Sequence, residues 1–460
     1  MECCMMRRRP TKEQFMSSLE EMIRALRSEI IEGTYAPGDY LPPERQLAAK
    51  FGMSNNSLRA GLELLADEGW IEKVPRVGNR VAMSRPRVKL KLACTWTPFR
   101  NMALSEQLEH FHRLYPWITV ETADINYRDK TELFSNDLIM LENTQFYGLV
   151  EDGEAFMLEP LAAKPELFPK ISDLFCADGR LWMQPIIFSP IVLCYNKAHF
   201  RERGMLEPDG SWTWDDLVRH AELLSDGKGR YGFFFHVPAL NRWPVFLLQS
   251  GERFEWEDGK LRSLYGTKML ESMKVSKRIL HNRKAFPMHM SEDNDDSHRM
   301  FLEGKISMTL TSYMGLNVWN DTDLEYDISP APYTEELRTL LISMGLGISS
   351  RSRHKEEAQL FVDFLTSGEA QVRIRDRTMS IPSLGTVPGN TVPGKMNRPS
   401  RYMQYRETMS SFRTLRDLNM PMKAMKELEK QLKAYWADMM DEEELCSRLS
   451  SIMSGHPVHS

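Results

Sequence analysis

The chain has 460 residues, of which 42% are hydrophobic and 27% are charged. Domains usually run to about 100–200 residues, so this length predicts two or three domains, and the composition excludes a fully disordered or collagen-like chain. The longest near-continuous apolar run, residues 186–195, is shorter than the roughly 20 residues that cross a bilayer. The six cysteines form no C-x-x-C pair, and no apolar stretch follows the basic start. We therefore expect a protein of the reducing cytoplasm that has no membrane span.

The net charge of −5 is unevenly distributed along the chain. Residues 1–87 carry 14 basic and 12 acidic side chains, whereas the remainder carries 45 basic and 52 acidic ones. An acidic surface discourages non-specific binding to nucleic acid. Any contact with DNA is therefore expected from the N-terminal segment.

The N-terminal segment has the pattern of a helix-turn-helix unit. A first helix is predicted by apolar residues at helical spacing, and Gly33 ends it; these residues are Leu19, Met22, Ile23, Leu26 and Ile30. Pro43 suits the start of a short helix from Glu44 to about Phe51. Ser54 is placed to cap a further helix that ends near Gly69. Two helices joined by a tight glycine turn form a helix-turn-helix.

The further helix would present polar side chains on its outer, N-terminal face, namely Asn55, Asn56, Ser57 and Arg59. Asn pairs with adenine, Arg with guanine, and Ser with phosphate oxygens. Residues 70–74 and 80–82 predict two short strands around a basic loop, 75–79. A small helical domain with a solvated polar face is the alternative interpretation.

Residues 12–83 resemble the winged-helix domain of GntR-family transcription regulators. The resemblance rests on Pro37-Gly38, Leu41-Pro42-Pro43-Glu44-Arg45, Gly52-Met53-Ser54 and Glu68-Gly69-Trp70-Ile71. It implies DNA contacts from the second helix, the recognition helix and the wing: Arg45, Ser54, Asn55, Asn56, Ser57, Arg59, Arg76, Gly78, Asn79 and Arg80. The chain departs from the family at Pro43 and Asn55, and its wing has one glycine where two are usual. Residues 1–11 are expected to form a disordered arm, and residues 84–88 a linker.

The remaining chain predicts an α/β fold with largely parallel sheets. Residues 88–94 suit a first strand, and apolar strands then alternate with amphipathic helices. Helices are predicted at residues 105–114, 214–225, 268–279, 356–366 and 422–439. The last helix is expected to pack on the domain rather than to form a dimer.

Residues 89–460 resemble the type 1 extracellular solute-binding proteins that deliver sugars to ABC importers. The resemblance rests on ordered segments, among them Asp178-Gly179-Arg180-Leu181-Trp182, Trp212-Thr213-Trp214-Asp215-Asp216, Phe301-Leu302-Glu303-Gly304-Lys305 and Phe361-Val362-Asp363-Phe364. It implies a two-lobed, periplasmic-binding-protein-like (type II) α/β domain with a ligand cleft at the hinge. The whole chain would then be a multidomain α/β protein with a winged helix-turn-helix at its N-terminus.

The same resemblance implies a set of ligand contacts for a sugar, whose pyranose face stacks on aromatic rings. The set comprises Trp96, Arg100, Glu142, Asn143, Ser189, Asn241, Trp243, Tyr313 and Ser380. Core packing is the alternative for each aromatic residue, and it is favoured for Trp182, Trp212 and Trp214. Ser189 stands where sugar-binding relatives often carry an acid.

Other motifs predict no cofactor and no metal. The G-x-G-x-x-G match at residues 227–232 follows a helix and precedes a strand, which is the wrong context for dinucleotide binding. Residues 292–296 are acidic but lack the glycine of a calcium loop, and they suit a helix start. No catalytic set can be assigned, so we expect no enzyme activity.

The sequence therefore predicts a cytoplasmic, ligand-responsive transcription regulator. It would bind operator DNA as a homodimer and sense a small molecule, most simply a sugar or oligosaccharide. The alternatives are the solute-binding component of an ABC importer and a regulator of the pyridoxal-phosphate enzyme-like type.

Overall fold

The structure, a computed structural model, describes residues 12–83, 87–127, 129–288, 291, 293–387 and 396–452. The predicted arm and residues 84–86 of the predicted linker lie outside the described residues. Two separate hydrophobic cores are present, one within residues 19–81 and one within residues 88–452. We call the first part the head and the second the two-lobed domain.

The head contains three helices and a hairpin, as predicted: α1 Lys12–Ile31, α2 Glu44–Phe51, α3 Asn55–Asp67, β1 Ile71–Val74 and β2 Gly78–Val81. Gly52 ends α2 with a φ of 63°, a left-handed conformation that glycine adopts without steric cost. Ser54 caps α3, because its Oγ accepts the backbone N–H of Ser57 at 3.1 Å. Leu26, Leu58 and Leu65 are completely buried where the helices meet.

The two-lobed domain alternates short strands with helices. Its strands are β3 Val88–Ala93, β4 Ile118–Ala123, β5 Leu138–Glu142, β6 Cys176–Ala177, β7 Arg180–Leu181, β8 Gln184–Asn196, β9 Tyr231–Phe233, β10 Trp256–Glu257, β11 Lys260–Leu261, β12 Ile306–Ser312, β13 Tyr326–Pro330, β14 Thr339–Ile348, β15 Ile381–Pro382 and β16 Phe412–Arg413. The first of these begins at Val88, inside the predicted linker, because Val88 is buried and bonded to Trp117.

The helices of this domain are α4 Thr97–Asn101, α5 Leu104–Leu114, α6 Lys130–Leu133, α7 Asn143–Glu151, α8 Pro169–Ser172, α9 Lys197–Glu202, α10 Trp214–Leu224, α11 Pro244–Gln249, α12 Lys268–His281, α13 Asn294–Leu302, α14 Lys355–Thr366, α15 Gly368–Arg377, α16 Met422–Trp436 and α17 Glu442–Ser450. All five predicted helices are present, and each differs from its predicted range at one end, by one to three residues. Residues 227–230 lie in the connection between α10 and β9, and residues 231–232 begin β9, in the predicted order of helix, loop and strand.

One main sheet runs through both lobes in the order β4-β3-β5-β14-β8-β12-β9. Lobe 1 is built around β3, β4, β5 and β14, and lobe 2 around β9, β12 and β13. Strand β8 belongs to both lobes: residues 185–190 pair with β14, and residues 191–196 pair with β12 and β13. Every residue of β8 is buried. This strand therefore carries the chain from one lobe to the other.

The expectation of largely parallel sheets is wrong for the middle of the main sheet. The pairs β3–β4, β3–β5 and β9–β12 are parallel. The pairs of β8 with β12, β13 and β14, and of β14 with β5, are antiparallel. A helix that connects two neighbouring strands leaves them parallel. Here the long strands β8 and β14 join the two lobes, and their neighbours β5, β12 and β13 run in the opposite direction.

The last helices pack on the domain, as predicted for residues 422–439. Of the five apolar residues at helical spacing in this segment, Met425, Leu428, Leu432 and Tyr435 are buried, whereas Met439 is exposed beyond the end of α16. At its start, the backbone N–H of Met422 donates to the Glu151 carboxylate of α7. At its end, the Trp436 indole donates to Ser276 of α12. None of the described helices is long and apolar enough to cross a bilayer.

Candidate DNA-contact surface and ligand cleft

The N-terminal face of α3 is an exposed polar surface of the head. Ser54, Asn55 and Asn56 are exposed there, and Ser57 is half-buried because its hydroxyl lies 2.8 Å from that of Ser54. Arg59 is exposed one turn further along. Since the apolar side of α3 is buried against α1, these side chains point away from the head. The structure thus brings together the polar residues that the helix pattern selected.

Helix α2 adds two charged groups beside this face. Arg45 is exposed, and Glu44 accepts a hydrogen bond from Arg59 Nε at 2.7 Å. The pair is open to solvent, with 61% of the Arg59 side chain exposed. An exposed ion pair of this kind contributes little to stability, so a phosphate group or a base edge can replace Glu44 as the partner of the guanidinium.

The wing is a tight β1–β2 hairpin in which Val74 faces Gly78. Arg76 is exposed at its tip with a φ of 65°, so it adopts the left-handed conformation that a second wing glycine would favour. Gly78 is also exposed, with a φ of 144°. Arg80 is bound to Glu72 at 2.6 Å. Asn79 is 7% exposed, so it contributes to the hairpin and is not available for DNA contact.

The head packs against lobe 1 through α1 and α14. The guanidinium of Arg27 contacts the Glu68 carboxylate at the end of α3, and its Nη1 lies 3.5 Å from Glu356 Oε2 in α14. Only 14% of each of the Arg27 and Glu356 side chains is exposed. A cavity of about 280 Å³ lies beside this contact, between Ser28 of α1 and Leu360 of α14. Arg27 therefore contacts both the end of α3 and the two-lobed domain.

A cleft opens where the lobes face each other. Two adjoining hollows of about 230 and 260 Å³ share Glu142, Asn241, Asp293, Asn294 and Ile342 in their walls. Lobe 1 contributes the loop after β3 and the end of β5. Lobe 2 contributes the loop before α11 and the start of α13. Four of the predicted ligand contacts lie here: Trp96, Arg100, Glu142 and Asn241.

Trp96 and Arg100 form one wall of this cleft. The Arg100 guanidinium lies 4.6 Å from the Trp96 ring centre, and 56% of Trp96 is exposed. Arg100 Nη1 lies 3.8 Å from Asp295 Oδ1 at the start of α13, so a long ion pair spans the two lobes. Burial lowers the pKa of Arg100, although Asp295 opposes this effect.

Glu142 and Arg242 face the cleft from opposite lobes. Glu142 begins α7 with a capping box, in which its side chain accepts a backbone N–H and Gln145 Oε1 accepts the Glu142 N–H at 2.8 Å. Burial raises the pKa of Glu142, and burial lowers the pKa of Arg242 to about 10. Each group shifts the other back toward its charged form.

The other five predicted ligand contacts do not line the cleft, because the structure buries them. Asn143 Oδ1 accepts the Ser343 N–H at 3.0 Å. The Ser189 hydroxyl lies in β8 and accepts the Met314 N–H at 3.3 Å. Trp243 packs edge-on against Trp436, and the Tyr313 hydroxyl donates to the Tyr402 carbonyl at 3.0 Å. Ser380 accepts from Asn317 at 3.1 Å. These side chains hold the core and the lobe junction together.

Several residues of the cleft walls were not predicted from the sequence as ligand contacts, among them Arg242, Asp293 and His298. Asp293 caps α13 by accepting the backbone N–H groups of residues 295 and 296. The acidic run is therefore a helix start, as predicted, and this start also lies at the cleft. His298 Nε2 lies 3.0 Å from Thr311 Oγ1. Arg242 follows Asn241, which was predicted as a ligand contact, and this position in the sequence could have pointed to Arg242.

Both parts of the chain, the head and the two-lobed domain, are similar to known protein families. Residues 135–372, more than half of the chain, match the family described as bacterial extracellular solute-binding protein. The chain belongs to that family. Residues 19–81 match the gntR family of bacterial regulatory proteins, so the head is a GntR-type DNA-binding domain.

Among curated proteins, a Brucella abortus protein assigned as a binding protein is 25% identical over 196 residues, 41% of this chain and 47% of its own length. The chain thus spans about half the length of the first curated relatives that it matches. The probable transcriptional regulator PhnF of Escherichia coli is 43% identical over 49 residues, 11% of this chain and 20% of its length. The histidine utilization repressor of Klebsiella aerogenes is 24% identical over 237 residues, 46% of this chain and 94% of its length.

Solved structures share the two-lobed fold. An ABC substrate-binding protein of Listeria monocytogenes in complex with cycloalternan has a TM-score of 0.68 at 20% identity, covering 79% of this chain and 97% of that one. Maltose-bound MalE3 of T. maritima has a TM-score of 0.66 at 19% identity, covering 79% and 98%. At these identities the likeness establishes the fold of the solute-binding domain.

Proposed function

We propose that this protein is a transcription regulator of the cytoplasm whose solute-binding domain senses a carbohydrate and controls how the GntR-type head binds operator DNA. One observation carries the proposal: Arg27 contacts Glu68 at the end of the recognition helix and Glu356 in lobe 1. A change in lobe 1 can therefore reach the DNA-contact surface through packed, charged side chains.

The proposed DNA contacts are those that the structure leaves exposed or half-buried, namely Arg45, Ser54, Asn55, Asn56, Ser57, Arg59, Arg76, Gly78 and Arg80. A single small module gives limited affinity, and a dimer binds two half-sites at once. We therefore propose a homodimer on a two-fold operator.

The proposed ligand contacts are Trp96, Arg100, Glu142 and Asn241. Trp96 offers an exposed aromatic face, which suits the C–H face of a sugar ring. Glu142 and Asn241 offer acceptor and donor groups to hydroxyls from opposite lobes. The structural neighbours bound to cycloalternan and maltose support a carbohydrate as the ligand class.

Control of DNA binding requires that the ligand bind two states of the protein with different affinity. Ligand contacts from both lobes favour the closed state, since only closure completes them. Closure would shift lobe 1 against the head at the α1–α14 contact. A coupling free energy of about 1–3 kcal/mol, or about 5–150-fold in affinity, is typical of such systems.

The DNA-binding half of the proposal is tested by selecting duplexes from a random pool and measuring their affinity by fluorescence anisotropy. Arg59→Ala is expected to weaken binding of the selected duplex by about tenfold or more, because a bidentate base contact is worth about 1–3 kcal/mol. Arg262→Ala is the matched control. It also removes an exposed arginine from an ion pair, here with Glu255, but lies in lobe 2.

Equal affinity of the wild type and Arg59→Ala would refute the assignment of the recognition helix. The sensing half is tested by screening sugars for a rise in melting temperature and then measuring DNA affinity with and without the stabilising sugar. A sugar that stabilises the protein but leaves DNA affinity unchanged would refute control by ligand.

A further inference from the structure

Arg242 is a buried cation at the wall of the cleft. It is 2% exposed. Its Nε donates to the Leu310 carbonyl at 3.1 Å, and its Nη1 donates to the Asn241 carbonyl at 3.0 Å. These two bonds hold the guanidinium in place but do not neutralise its charge. Within the described part of the chain, no carboxylate oxygen lies within 4 Å of its nitrogens.

The acidic residues of lobe 2 are committed to other partners. Asp293 Oδ1 accepts two backbone N–H groups at the start of α13, at 2.9 and 3.3 Å. Asp295 Oδ1 lies 3.4 Å from His298 Nδ1 and 3.8 Å from Arg100 Nη1. Neither aspartate forms an ion pair with Arg242. Arg242 therefore faces a cleft whose walls include carboxylates, yet among the described residues none of these is in direct contact with its guanidinium.

Glu142 is the acid across the cleft from Arg242, and it attracts the guanidinium through space without forming an ion pair with it. The two groups lie on opposite lobes and are more than 4 Å apart. Burial raises the pKa of Glu142, and the charge of Arg242 opposes this rise. The pKa of Arg242 stays near 10, so Arg242 is charged at neutral pH.

A buried charge without a counter-charge is costly, and proteins normally pair it. Here the space between Glu142 and Arg242 is open to a ligand, because both residues line the same hollow of about 230 Å³. Arg100 lies on the wall of that hollow as well, where it stacks on Trp96 and forms a long ion pair with Asp295. Two guanidinium groups therefore face one ligand-sized space.

We propose that the ligand of the cleft carries an oxyanion, a carboxylate, sulfate or phosphate group, that pairs with Arg242 and draws in Arg100. This inference rests on the proposed function, since it assigns the chemical class of the sugar in that same cleft. Guanidinium groups bind such planar or tetrahedral oxyanions with two parallel hydrogen bonds. The ligand class is then an acidic saccharide rather than a neutral one.

The first experiment uses sulfate as the probe and needs no knowledge of the natural ligand. Melting temperatures are measured in sodium sulfate and in sodium chloride at matched ionic strength. Sulfate stabilises proteins in general, so a matched control is required. Arg398→Gln supplies it, because Arg398 also donates to backbone carbonyls but lies outside the cleft walls.

We expect sulfate to raise the melting temperature of the wild type, Arg242→Lys and Arg398→Gln by a few degrees more than that of Arg242→Gln. The lysine variant keeps the charge and so separates loss of the anion site from loss of folding. An equal sulfate effect in Arg242→Gln and in the wild type would overturn the proposal.

The second experiment compares matched acidic and neutral sugars on the wild type: glucuronate with glucose, galacturonate with galactose, and glucose 6-phosphate with glucose. The acidic member of at least one pair is expected to bind at least about tenfold more tightly in calorimetry, and Arg242→Gln is expected to abolish that preference. Preference for phosphate over carboxylate, or the reverse, identifies the oxyanion. If each neutral sugar binds as well as its acidic partner, the proposal is wrong.

The outcomes also separate this inference from the proposed function. If stabilisation by sulfate depends on Arg242 but the protein does not bind duplex DNA, the anion site is supported and the regulatory role is refuted. If the affinity for DNA changes with neutral sugars but not with acidic ones, the regulatory role is supported and the anion site is refuted.

Discussion

Replacing Arg27 by alanine is expected to uncouple DNA binding from ligand binding. Arg27 Nη1 lies 3.5 Å from Glu356 Oε2, and 14% of each side chain is exposed. At an effective dielectric constant of about 20, two unit charges at this distance attract by about 5 kcal/mol. Desolvation and the long contact offset most of that attraction, which leaves a net of about 1 kcal/mol. This is about fivefold in affinity and lies at the lower end of typical allosteric coupling.

The assay is a double-mutant cycle with Arg27→Ala, Glu356→Ala and the double variant. For each protein, the affinity for the selected duplex is measured by fluorescence anisotropy with and without a stabilising sugar. The interaction energy of the cycle isolates the pair from other effects of each substitution. Glu68→Ala tests the other half of this path, since it removes the contact of Arg27 with the end of α3 and leaves the contact with lobe 1 intact. Glu63→Ala is the control, since it removes an exposed ion pair within the head, with Lys73, that does not involve Arg27.

We expect the ligand effect on DNA affinity to fall about fivefold in Arg27→Ala and in Glu356→Ala, with no further loss in the double variant. The Glu68→Ala variant should lose a similar part of the ligand effect, because Arg27 then no longer contacts the end of α3, whereas Glu63→Ala should keep the wild-type ligand effect. Retention of the full ligand effect in both single variants, or an interaction energy near zero, would refute coupling through this contact.

Two further predictions concern stability. A Cβ at Gly232 would lie 2.0 Å from the Ala221 carbonyl oxygen, so Gly232→Ala must force β9 away from α10 and should cost about 1–3 kcal/mol in urea denaturation. Gly148→Ala, which meets no atom within 4 Å, is the control, and equal midpoints for the two variants would contradict the reasoning. Burial lowers the pKa of His199 to about 4, so the unfolded chain takes up a proton near pH 6.5 and the folded chain only near pH 4. The free energy of unfolding should therefore decrease as the pH is lowered through this window, by at most about 3 kcal/mol. In His199→Gln, this decrease should be smaller. An equal pH dependence in the variant and the wild type would exclude His199 as its source.

Local signals predicted the head almost completely. The Gly52 turn, the Ser54 cap and the apolar spacing of α1 are decided within a few residues, so their structural consequences are visible in the sequence. The wing departed from the pattern only at Arg76, which takes the left-handed conformation without being glycine. The helices of the two-lobed domain were predicted for the same reason, since their periodicity is local.

The cleft could be predicted only in part. Trp96, Arg100, Glu142 and Asn241 follow strand ends or precede a helix, and such positions gather at the lobe junction. Trp243 follows Arg242 directly, yet Trp243 packs in the core and Arg242 lines the cleft. Which of two neighbours faces a ligand depends on the helix that packs behind them, here α16, about 190 residues away in sequence.

Three features were determined by the amino-acid sequence alone: the division into a head and a two-lobed domain, the ends of the helices, and the polar face of α3. The reason is that caps, turns and periodicity act over a few residues. Only the tertiary structure decided that β8 passes through both lobes, that Arg27 joins the head to lobe 1, and that Arg242 faces the cleft without a carboxylate partner. These features arise from residues far apart in the chain, whose distances and burial are set by the packing of the whole domain.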